Sequence, residues 1–186
     1  MSKRVRITAD NAEKYFFLEP FDHEKTAVIF SCPINEYNEW LFQDASRSQK
    51  DHIAKTWLLR ERSTGKIAAY MSLVMDAIKL SFTEKELHNL NYPFKTIPAM
   101  KIAKLAVDCG SSEKYKGIGS FMIEAAIGKA LVCNDDYCAA RFLTVDADIE
   151  HNEGVLAFYK KNGFILNAEL SGKNRKTISM RKDIYG

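Results

Sequence analysis

Apolar and polar residues alternate along this chain with two different periods, and each change of period marks a predicted helix or strand. Apolar residues at helical spacing predict an amphipathic helix over residues 35–47. Strand-like runs at residues 57–61 and 67–75 flank the turn-forming sequence STGK and predict a β-hairpin. Residues 78–98 have a mixed pattern, which predicts a short helix capped at Thr83 followed by a loop that contains prolines.

The second half of the chain alternates in the same way. Residues 100–108 predict a strand with one open face, and residues 120–132 are apolar on nearly every side, which is typical of a helix largely buried against a sheet. Gly128 within this helix costs about 1 kcal/mol relative to alanine, so it predicts a close packing contact. The remaining predicted elements are a strand at residues 141–147, a helix at 153–161 that Asn162 and Gly163 end, and strands in FILNAEL and KTISMRKDI.

Composition and charge indicate one globular domain spanning residues 1–186. Hydrophobic residues make up 46% and charged residues 27% of the chain, the balance of a folded protein of ordinary size. No apolar run approaches the roughly 18 residues that a membrane span requires, and MSKRVRITAD lacks the apolar core of a signal peptide. We therefore expect a cytoplasmic protein that does not bind membranes. The net charge of +3 is below that of most dedicated nucleic-acid binders, although basic residues near both ends leave a polyanion-binding surface open.

The cysteines and histidines lack the spacing of a metal site or a disulfide framework. The four cysteines contain no CxxC pair, and the four histidines are scattered along the chain. A catalytic thiol at Cys109 is less favoured than a buried or loop cysteine, because no histidine lies at a recognisable spacing from it. We therefore expect no metal ion.

Two glycines one residue apart lie between the strand predicted at residues 100–108 and the helix that comes next. A strand that enters such a turn before a helix directs several backbone N–H groups and the positive end of the helix dipole at one point, which suits a phosphate. Glycine at Gly117 and Gly119 leaves room for a phosphate oxygen or permits a positive φ, and Lys114 and Lys116 add positive charge. The sequence lacks the GK[ST] end of a Walker loop and the spaced glycines of a Rossmann fingerprint. Glycines that only permit the turn are the alternative interpretation.

Two motifs in the C-terminal half resemble those of one enzyme family. Lys114, Gly117 and Gly119 match the Q/R-x-x-G-x-G/A pattern of the GNAT N-acetyltransferases, with lysine in place of the usual glutamine or arginine. The sequence LAVD stands upstream, where that family has its central strand. The run NEGVLAFYKKNGF, which includes Tyr159, resembles the family signature N-x-x-A-x-x-x-Y-x-x-x-G-F with valine in place of alanine. The chain therefore resembles the GNAT family over residues 100–164, and the order of its predicted elements agrees over most of its length.

The resemblance extends to one branch of that family and implies a fold. FSCPINEYNEWLFQDA and IPAMKIAKLAVD look like segments of the branch that includes toxins acetylating the amino group of aminoacyl-tRNA. Pro33 stands where that branch usually has glycine. The family resemblance implies an α/β (α+β) fold, in which helices flank a central mixed, mostly antiparallel sheet.

The resemblance also implies acetyl-CoA as the co-substrate. In this family, amides of the glycine turn bind the pyrophosphate and the exposed edge of the central strand pairs with the pantetheine arm. An amide near Ala106 or Val107 is expected to polarise the thioester carbonyl. Asn152 is expected either to bind the pantetheine amides or to cap the helix that follows it. The residues expected to bind acetyl-CoA are Leu105, Ala106, Val107, Lys114, Lys116, Gly117, Ile118, Gly119, Ser120 and Asn152.

The reaction implied is direct transfer of the acetyl group to a primary amine in a ternary complex. Tyr159 is the expected general acid, because it stands at the tyrosine of the family motif and because the departing thiolate, with a pKa of about 8.5, benefits from protonation. Asp108, Asp146 and Asp148 lie near predicted strand ends, where aspartates usually serve turns, so none is assigned as the general base.

The acceptor is left open among aminoacyl-tRNA, a small amine and a peptide N-terminus. A positive surface formed by Lys101, Lys104 and the tail at residues 175–182 favours tRNA, whereas an acidic surface favours a cationic amine. Two other functions are the alternatives: a non-catalytic acyl-CoA-binding or sensing module with the same fold, and a nucleotide-binding module of another fold. Apolar residues near Trp40 are expected in the core, with a homodimer contact as the alternative.

Overall fold

The computed structural model describes residues 4–22, 29–167 and 176–186. Strands and mostly short helices follow one another along these residues, and one long helix comes after the glycine turn. The strands are β1 (Val5–Arg6), β2 (Phe16–Pro20), β3 (Lys55–Glu61), β4 (Ile67–Lys79), β5 (Thr96–Val107), β6 (Tyr115–Lys116), β7 (Phe142–Asp148), β8 (Ile165–Leu166) and β9 (Thr177–Asp183). The helices are α1 (Ala9–Tyr15), α2 (Asn35–Glu39), α3 (Ala45–Lys50), α4 (Phe82–Leu87), α5 (Cys109–Lys114), α6 (Ile118–Asp136) and α7 (Val155–Lys161), with a π-helical turn at Trp40–Asp44 between α2 and α3.

The strands form a large mixed sheet and a small two-stranded sheet. The strand order of the large sheet is β2-β3-β4-β5-β7-β9-β8. Strands β5 and β7 are parallel, whereas the pairs β2–β3, β3–β4, β7–β9 and β8–β9 are antiparallel. Strands β1 and β6 form a separate parallel pair. This arrangement confirms the predicted mixed, mostly antiparallel sheet with flanking helices.

The chain divides into two compact units, of which the first comprises Met1–Val74 and Ala103–Ala126. Leu58 and Tyr70 are fully buried at the centre of its core. Trp40 stacks on Tyr70 with the ring centroids 5.9 Å apart and the rings 8° from parallel. Trp40 therefore packs against the core, as expected from the sequence.

The second unit comprises Met75–Ile102 and Ile127–Gly186. Its core includes Ile78, Ile97 and Phe142, one residue from each of β4, β5 and β7. Within the described residues of the chain, no helix combines the length and apolarity needed to cross a bilayer.

Helix α4 begins with a reciprocal capping box. The Glu84 N–H donates to Ser81 Oγ at 3.2 Å, and the Ser81 N–H donates to Glu84 Oε2 at 2.9 Å. The predicted cap at Thr83 is therefore wrong, because Ser81 satisfies the first-turn amide.

Several elements are longer than the sequence pattern predicts. The helix predicted over residues 35–47 continues to Lys50 and includes the π-helical turn. Strand β4 runs to Lys79 and β5 begins at Thr96, so both strands extend into the segment with the mixed pattern. Strand β8 covers only part of FILNAEL, and residues 168–175, with the turn SGKNR, lie outside the described residues.

The packing predicted for the middle of α6 is wrong. A Cβ built on Gly128 meets no atom of the described residues within 4 Å, apart from the backbone of its own helix, and Gly128 is exposed. Val132 is also 53% exposed, so this part of α6 has an open apolar side rather than a fully buried one. Within the part of the chain that the structure describes, Gly128 therefore makes no close packing contact.

Candidate functional site

The turn before α6 requires glycine at one of its two glycine positions. Strand β6 pairs with β1, and the Ile7 N–H donates to the Lys116 carbonyl at 2.7 Å. Gly117 follows with φ of +91°, and a Cβ added there would lie 2.7 Å from the Ile7 carbonyl oxygen. Both the positive φ and the backbone contact exclude a side chain. Gly119 lies inside α6, so the positive φ expected in this turn belongs to Gly117.

The first turn of α6 presents backbone N–H groups that the helix itself does not use. The Phe121 N–H donates to the Gly117 carbonyl at 2.9 Å and closes the first helical turn. The N–H groups of Ile118, Gly119 and Ser120 precede it, so they have no acceptor within the helix. Together with the dipole of a 19-residue helix, they form an electropositive N-terminus that suits a phosphate or diphosphate.

A buried carboxylate supports the strand that leads into this turn. Glu61, which is 4% exposed, ends β3 and accepts hydrogen bonds from the Tyr115 hydroxyl and the Thr64 hydroxyl, both at 2.6 Å. These two hydrogen bonds, from Thr64 and then Tyr115, hold the pKa of Glu61 below its usual value. Lys114 Nζ lies 3.8 Å from Glu61 Oε1, so the Lys114 ammonium contributes to this carboxylate site as well.

Aromatic packing fixes Tyr115 in the same place. Its ring packs edge-on against Phe16 with centroids 4.9 Å apart and lies 5.7 Å from the ring of Tyr15. Burial and the hydrogen bond to Glu61 raise the pKa of Tyr115 to about 12. Tyr115 stands two residues before Gly117, so these contacts position the turn. Sequence reasoning missed Glu61 and Tyr115, although an acidic residue at the end of the apolar run WLLRE was a usable signal.

The C-terminal part of β5 has one edge directed away from β4. The Asp108 N–H donates to the Ala68 carbonyl of β4 at 2.9 Å. Because successive N–H groups of a strand point to opposite sides, those of Leu105 and Val107 point away from β4, whereas that of Ala106 points toward it. The pairing of β5 with β7 covers Ala99–Ile102 of β5 and ends before these residues.

Asp108 serves the turn after β5, as expected for an aspartate at the end of a strand. Its carboxylate accepts from the N–H of Ser111 at 3.0 Å, which caps α5, and from the N–H of Ser31 at 3.1 Å. Cys109, the first residue of α5, is half-buried, and its N–H donates to the Ser31 carbonyl at 2.8 Å.

The second unit contains the tyrosine and asparagine of the C-terminal motif. Tyr159 is 6% exposed on α7, and its ring packs against Phe158 and Phe164 with centroid distances of 5.0 and 5.2 Å. Asn152 Oδ1 accepts from the N–H of Gly154 at 3.0 Å, so Asn152 shapes the turn that enters α7. The N-cap of α7 is Gly154, without a side-chain cap, so the expectation that Asn152 caps this helix is wrong.

Two of the cations considered for a tRNA-binding surface lie beside carboxylates. Lys101 Nζ lies 3.1 Å from Asp146 and 3.5 Å from Asp76. Partial burial acts to lower the pKa of Lys101, but the hydrogen bond and charge of Asp146, with the charge of Asp76, raise it. Arg181 is 2% exposed and binds Glu84 at 2.7 Å. Lys101 and Arg181 are therefore each neutralised within the protein.

Lys104 and Asp148 each contact a neighbouring side chain. Lys104 Nζ lies 4.7 Å from the ring centroid of Tyr37, a cation–π distance. Asp148 lies 2.9 Å from the Nδ1 atom of His151, three residues ahead of it. Among the described residues, no three His, Cys, Asp or Glu side chains are grouped so that they could hold a metal ion.

Solved structures share this architecture at low sequence identity. A structure of AtaT complexed with acetyl-methionyl-tRNAfMet matches with a TM-score of 0.74 at 19% identity, over 91% of this chain and 95% of that one. The chain has the GNAT fold. The same GNAT fold occurs in AtaTR bound with AcCoA, with a TM-score of 0.68 at 20% identity over 90% of this chain and 94% of that one.

A third structure with the GNAT fold is a tyrosine-to-phenylalanine mutant of the AtaT toxin bound to the C-terminus of the antitoxin AtaR. It matches with a TM-score of 0.67 at 19% identity, over 91% of this chain and 92% of that one. No protein-family model and no curated protein matches the sequence of the chain.

Proposed function

We propose that the protein is an N-acetyltransferase that moves an acetyl group from acetyl-CoA to a primary amine by direct attack in a ternary complex. The observation that carries this proposal is the glycine turn at the N-terminus of α6, within a GNAT fold. AtaTR, which shares the fold, was crystallised with AcCoA. Acetyl-CoA supplies an activated acetyl thioester, and the chain supplies the groups that bind and orient it.

The N–H groups of Ile118, Gly119 and Ser120 are proposed to hold the diphosphate. They are the first-turn amides of α6, and the exposed Lys116 adds a positive charge beside them. Lys114 contributes less than Lys116 in this proposal, because its ammonium also faces Glu61. Gly117 acts by holding the turn, since its φ of +91° sets the direction of the amides that follow.

The open edge of β5 is proposed to pair with the pantetheine arm. The backbone groups of Leu105 and Val107 point away from β4, so they are available for strand-like hydrogen bonds. The Val107 N–H is the better candidate to polarise the thioester carbonyl, since the Ala106 N–H is directed at β4. Ala106 therefore contributes through packing in the core cluster.

Tyr159 is proposed to protonate the departing thiolate. A phenol bears its proton at neutral pH and can donate it to a thiolate, whose conjugate acid has a pKa of about 8.5. The aromatic contacts with Phe158 and Phe164 hold the ring in one orientation, as a proton donor requires. Asn152 is proposed to orient the turn before α7, with its amide as a further contact to the pantetheine.

Aminoacyl-tRNA is the acceptor class that we propose. A solved structure of AtaT, which has the same fold, is a complex with acetyl-methionyl-tRNAfMet. An α-amino group has a pKa of about 8, so a substantial fraction is neutral at physiological pH and needs no dedicated base. Asp108 and Asp148 are engaged in turns and a histidine contact, which agrees with a reaction that lacks a carboxylate base. The tRNA phosphates must then be bound by cations other than Lys101 and Arg181.

The burial of Tyr159 favours one alternative, a non-catalytic acyl-CoA-binding module. A tyrosine that is 6% exposed between two phenylalanines is also a sound core residue. The two functions differ in turnover. The test incubates the protein with labelled acetyl-CoA and a panel of charged tRNAs, small amines and peptides, with the Tyr159→Phe variant as the control.

Labelled aminoacyl-tRNA from the wild type, lost in the variant, supports the proposal. Labelling of a small amine alone corrects the acceptor and keeps the reaction. CoA binding without turnover on any acceptor favours the binding module. Absence of CoA binding contradicts both functions.

A further inference from the structure

The last turn of α6 and the loop that follows it contain a pair of thiols that the proposed function does not use. We propose that Cys133 and Cys138 are a redox-active dithiol, which forms a reversible intramolecular disulfide by exchange with a small-molecule disulfide. Their sulfur atoms lie 3.2 Å apart. A disulfide bond is about 2.05 Å long, so the sulfurs must approach by only about 1.2 Å to bond.

The backbone of this segment already brings the two cysteines together. The Cys133 carbonyl accepts from the N–H groups of Tyr137 at 2.9 Å and Cys138 at 2.8 Å, so the chain folds back over the end of the helix. Beyond this turn, the Asn134 side chain makes two hydrogen bonds with the backbone of Ala140. Its Nδ2 donates to the Ala140 carbonyl at 3.0 Å, and its Oδ1 accepts from the Ala140 N–H at 2.6 Å. The loop is thus fixed with the two thiols in contact, which limits the rearrangement that a disulfide requires.

The two thiols differ in their access to a reagent. Cys138 is exposed, whereas Cys133 is half-buried. The hydrogen bond with Cys138, together with partial burial, raises the pKa of the Cys133 thiol. Cys138 is therefore the thiol that reacts first with a reagent from solution, and Cys133 is the thiol that resolves the product.

The exchange is balanced with oxidised glutathione as the oxidant. Cys138 loses its proton and attacks one sulfur of oxidised glutathione, whose S–S bond breaks and releases one glutathione thiolate. Cys133 then loses its proton and attacks the Cys138 sulfur of the mixed disulfide, which expels the second glutathione. Two protein thiols are oxidised, and the two released glutathione molecules take up the protons. Excess reduced glutathione runs the same steps in reverse.

The remaining two cysteines serve as internal controls. Cys32 is buried, and its thiol donates to the Ile34 carbonyl at 3.2 Å. Burial raises the pKa of the Cys32 thiol, which lowers its reactivity. Cys109 is half-buried like Cys133 and lies at the start of a different helix. Comparison of Cys109 with Cys133 therefore separates the effect of the 3.2 Å contact with Cys138 from the effect of exposure.

The test exposes the folded full-length protein to oxidised glutathione, blocks the remaining thiols and maps the tryptic peptides by mass spectrometry. Cleavage after Lys129 and Arg141 places Cys133 and Cys138 in one peptide, residues 130–141, and leaves the other cysteines elsewhere. We expect this peptide to lose two hydrogens and to resist alkylation. Dithiothreitol should restore both thiols. The Cys109→Ser variant should give the same result as the wild type.

Two variants test the order of the steps. In Cys133→Ser, a glutathione adduct should accumulate on Cys138 because the resolving thiol is absent. In Cys138→Ser, the remaining Cys133 should react more slowly, and circular dichroism of both variants confirms that they are folded. Two results with the wild-type protein would overturn the proposal. One is a stable glutathione adduct on Cys138, and the other is that both thiols still react with the alkylating reagent. The test needs no acetyl-CoA, so its outcome is independent of the proposed function.

Discussion

Replacement of Gly117 by alanine should destabilise the protein, because two local features of the turn exclude a side chain. Its φ of +91° costs a residue with a Cβ about 1–3 kcal/mol. The added Cβ would lie 2.7 Å from the Ile7 carbonyl oxygen, a backbone atom that cannot rotate away. Relief requires β1 or the turn to move, which weakens the Ile7–Lys116 hydrogen bond by about 0.5–1.5 kcal/mol. We expect a loss of about 2–4 kcal/mol in the free energy of unfolding.

Gly128→Ala is the matched control, since it makes the same substitution in an open part of the chain. Outside its own helix, a Cβ at Gly128 meets no atom of residues 4–22, 29–167 or 176–186 within 4 Å, and Gly128 lies inside α6. Alanine is the better helix former by about 1 kcal/mol, so this variant should be as stable as the wild type or more stable. Urea unfolding followed by circular dichroism measures both variants, and unchanged m-values show that the same surface is exposed.

CoA titration calorimetry then separates stability from binding. At a temperature where both variants are folded, Gly128→Ala should bind CoA like the wild type. Gly117→Ala should bind at least about tenfold more weakly, because movement of the turn displaces the amides that follow. Equal stability of the two variants would show that neither the positive φ of Gly117 nor its approach to the Ile7 carbonyl oxygen excludes a side chain. Equal CoA affinity would refute the role of the turn in binding.

Three further predictions concern Tyr159, Glu61 and Tyr115. Tyr159→Phe should lower kcat by about tenfold to a thousandfold and leave the CoA affinity unchanged, and an unchanged single-turnover rate would remove its role as the acid. Ionised Glu61, whose pKa is lowered in the folded state, stabilises the protein above the ordinary glutamate pKa, and this contribution is lost as the pH falls through the lowered value. In Glu61→Gln, the free energy of unfolding should therefore fall less steeply than in the wild type as the pH is lowered. An equally steep fall would contradict the role of the buried hydrogen bonds of Glu61. Tyr115, with its pKa raised to about 12, stabilises the fold below the ordinary tyrosine pKa and loses this effect as the pH rises to that value. Tyr115→Phe should remove the phase near pH 12 from the tyrosinate absorbance titration, and persistence of that phase would assign it to another tyrosine.

The elements that sequence predicted well are those fixed by local chemistry. The end of α7 at Asn162 and Gly163 was predicted from residue types, and Gly163 does adopt a positive φ of 84°. Helix α5 was missed because it has only 6 residues, too few for a periodic signal. Its cap, Asp108, was interpreted only as a strand-end aspartate. Helix α1 and strand β2 were also missed, because ADNAEKYFFLEP passes from helix to strand without a glycine or a proline between them.

In the candidate site, too, the sequence predicted the features that depend on local chemistry and missed those that depend on distant residues. Gly117 was predictable because the requirement for glycine arises from the turn itself, although the neighbour that excludes a side chain, Ile7, lies far away in sequence. The bond between Glu61 and Tyr115 joins residues 54 positions apart, and no periodic pattern connects them. Likewise, the local sequence does not indicate that the Lys101 ammonium donates to the Asp146 carboxylate, 45 positions later. These contacts join residues that are far apart in the sequence, so the local pattern of residues could not predict them.

A crystal structure of the protein with bound CoA tests the central claim most directly. Our account predicts diphosphate density within hydrogen-bonding distance of the N–H groups of Ile118, Gly119 and Ser120, with the pantetheine arm along the edge of β5 at Leu105 and Val107. Diphosphate density at another place on the protein, with these amides left unbound, would contradict it.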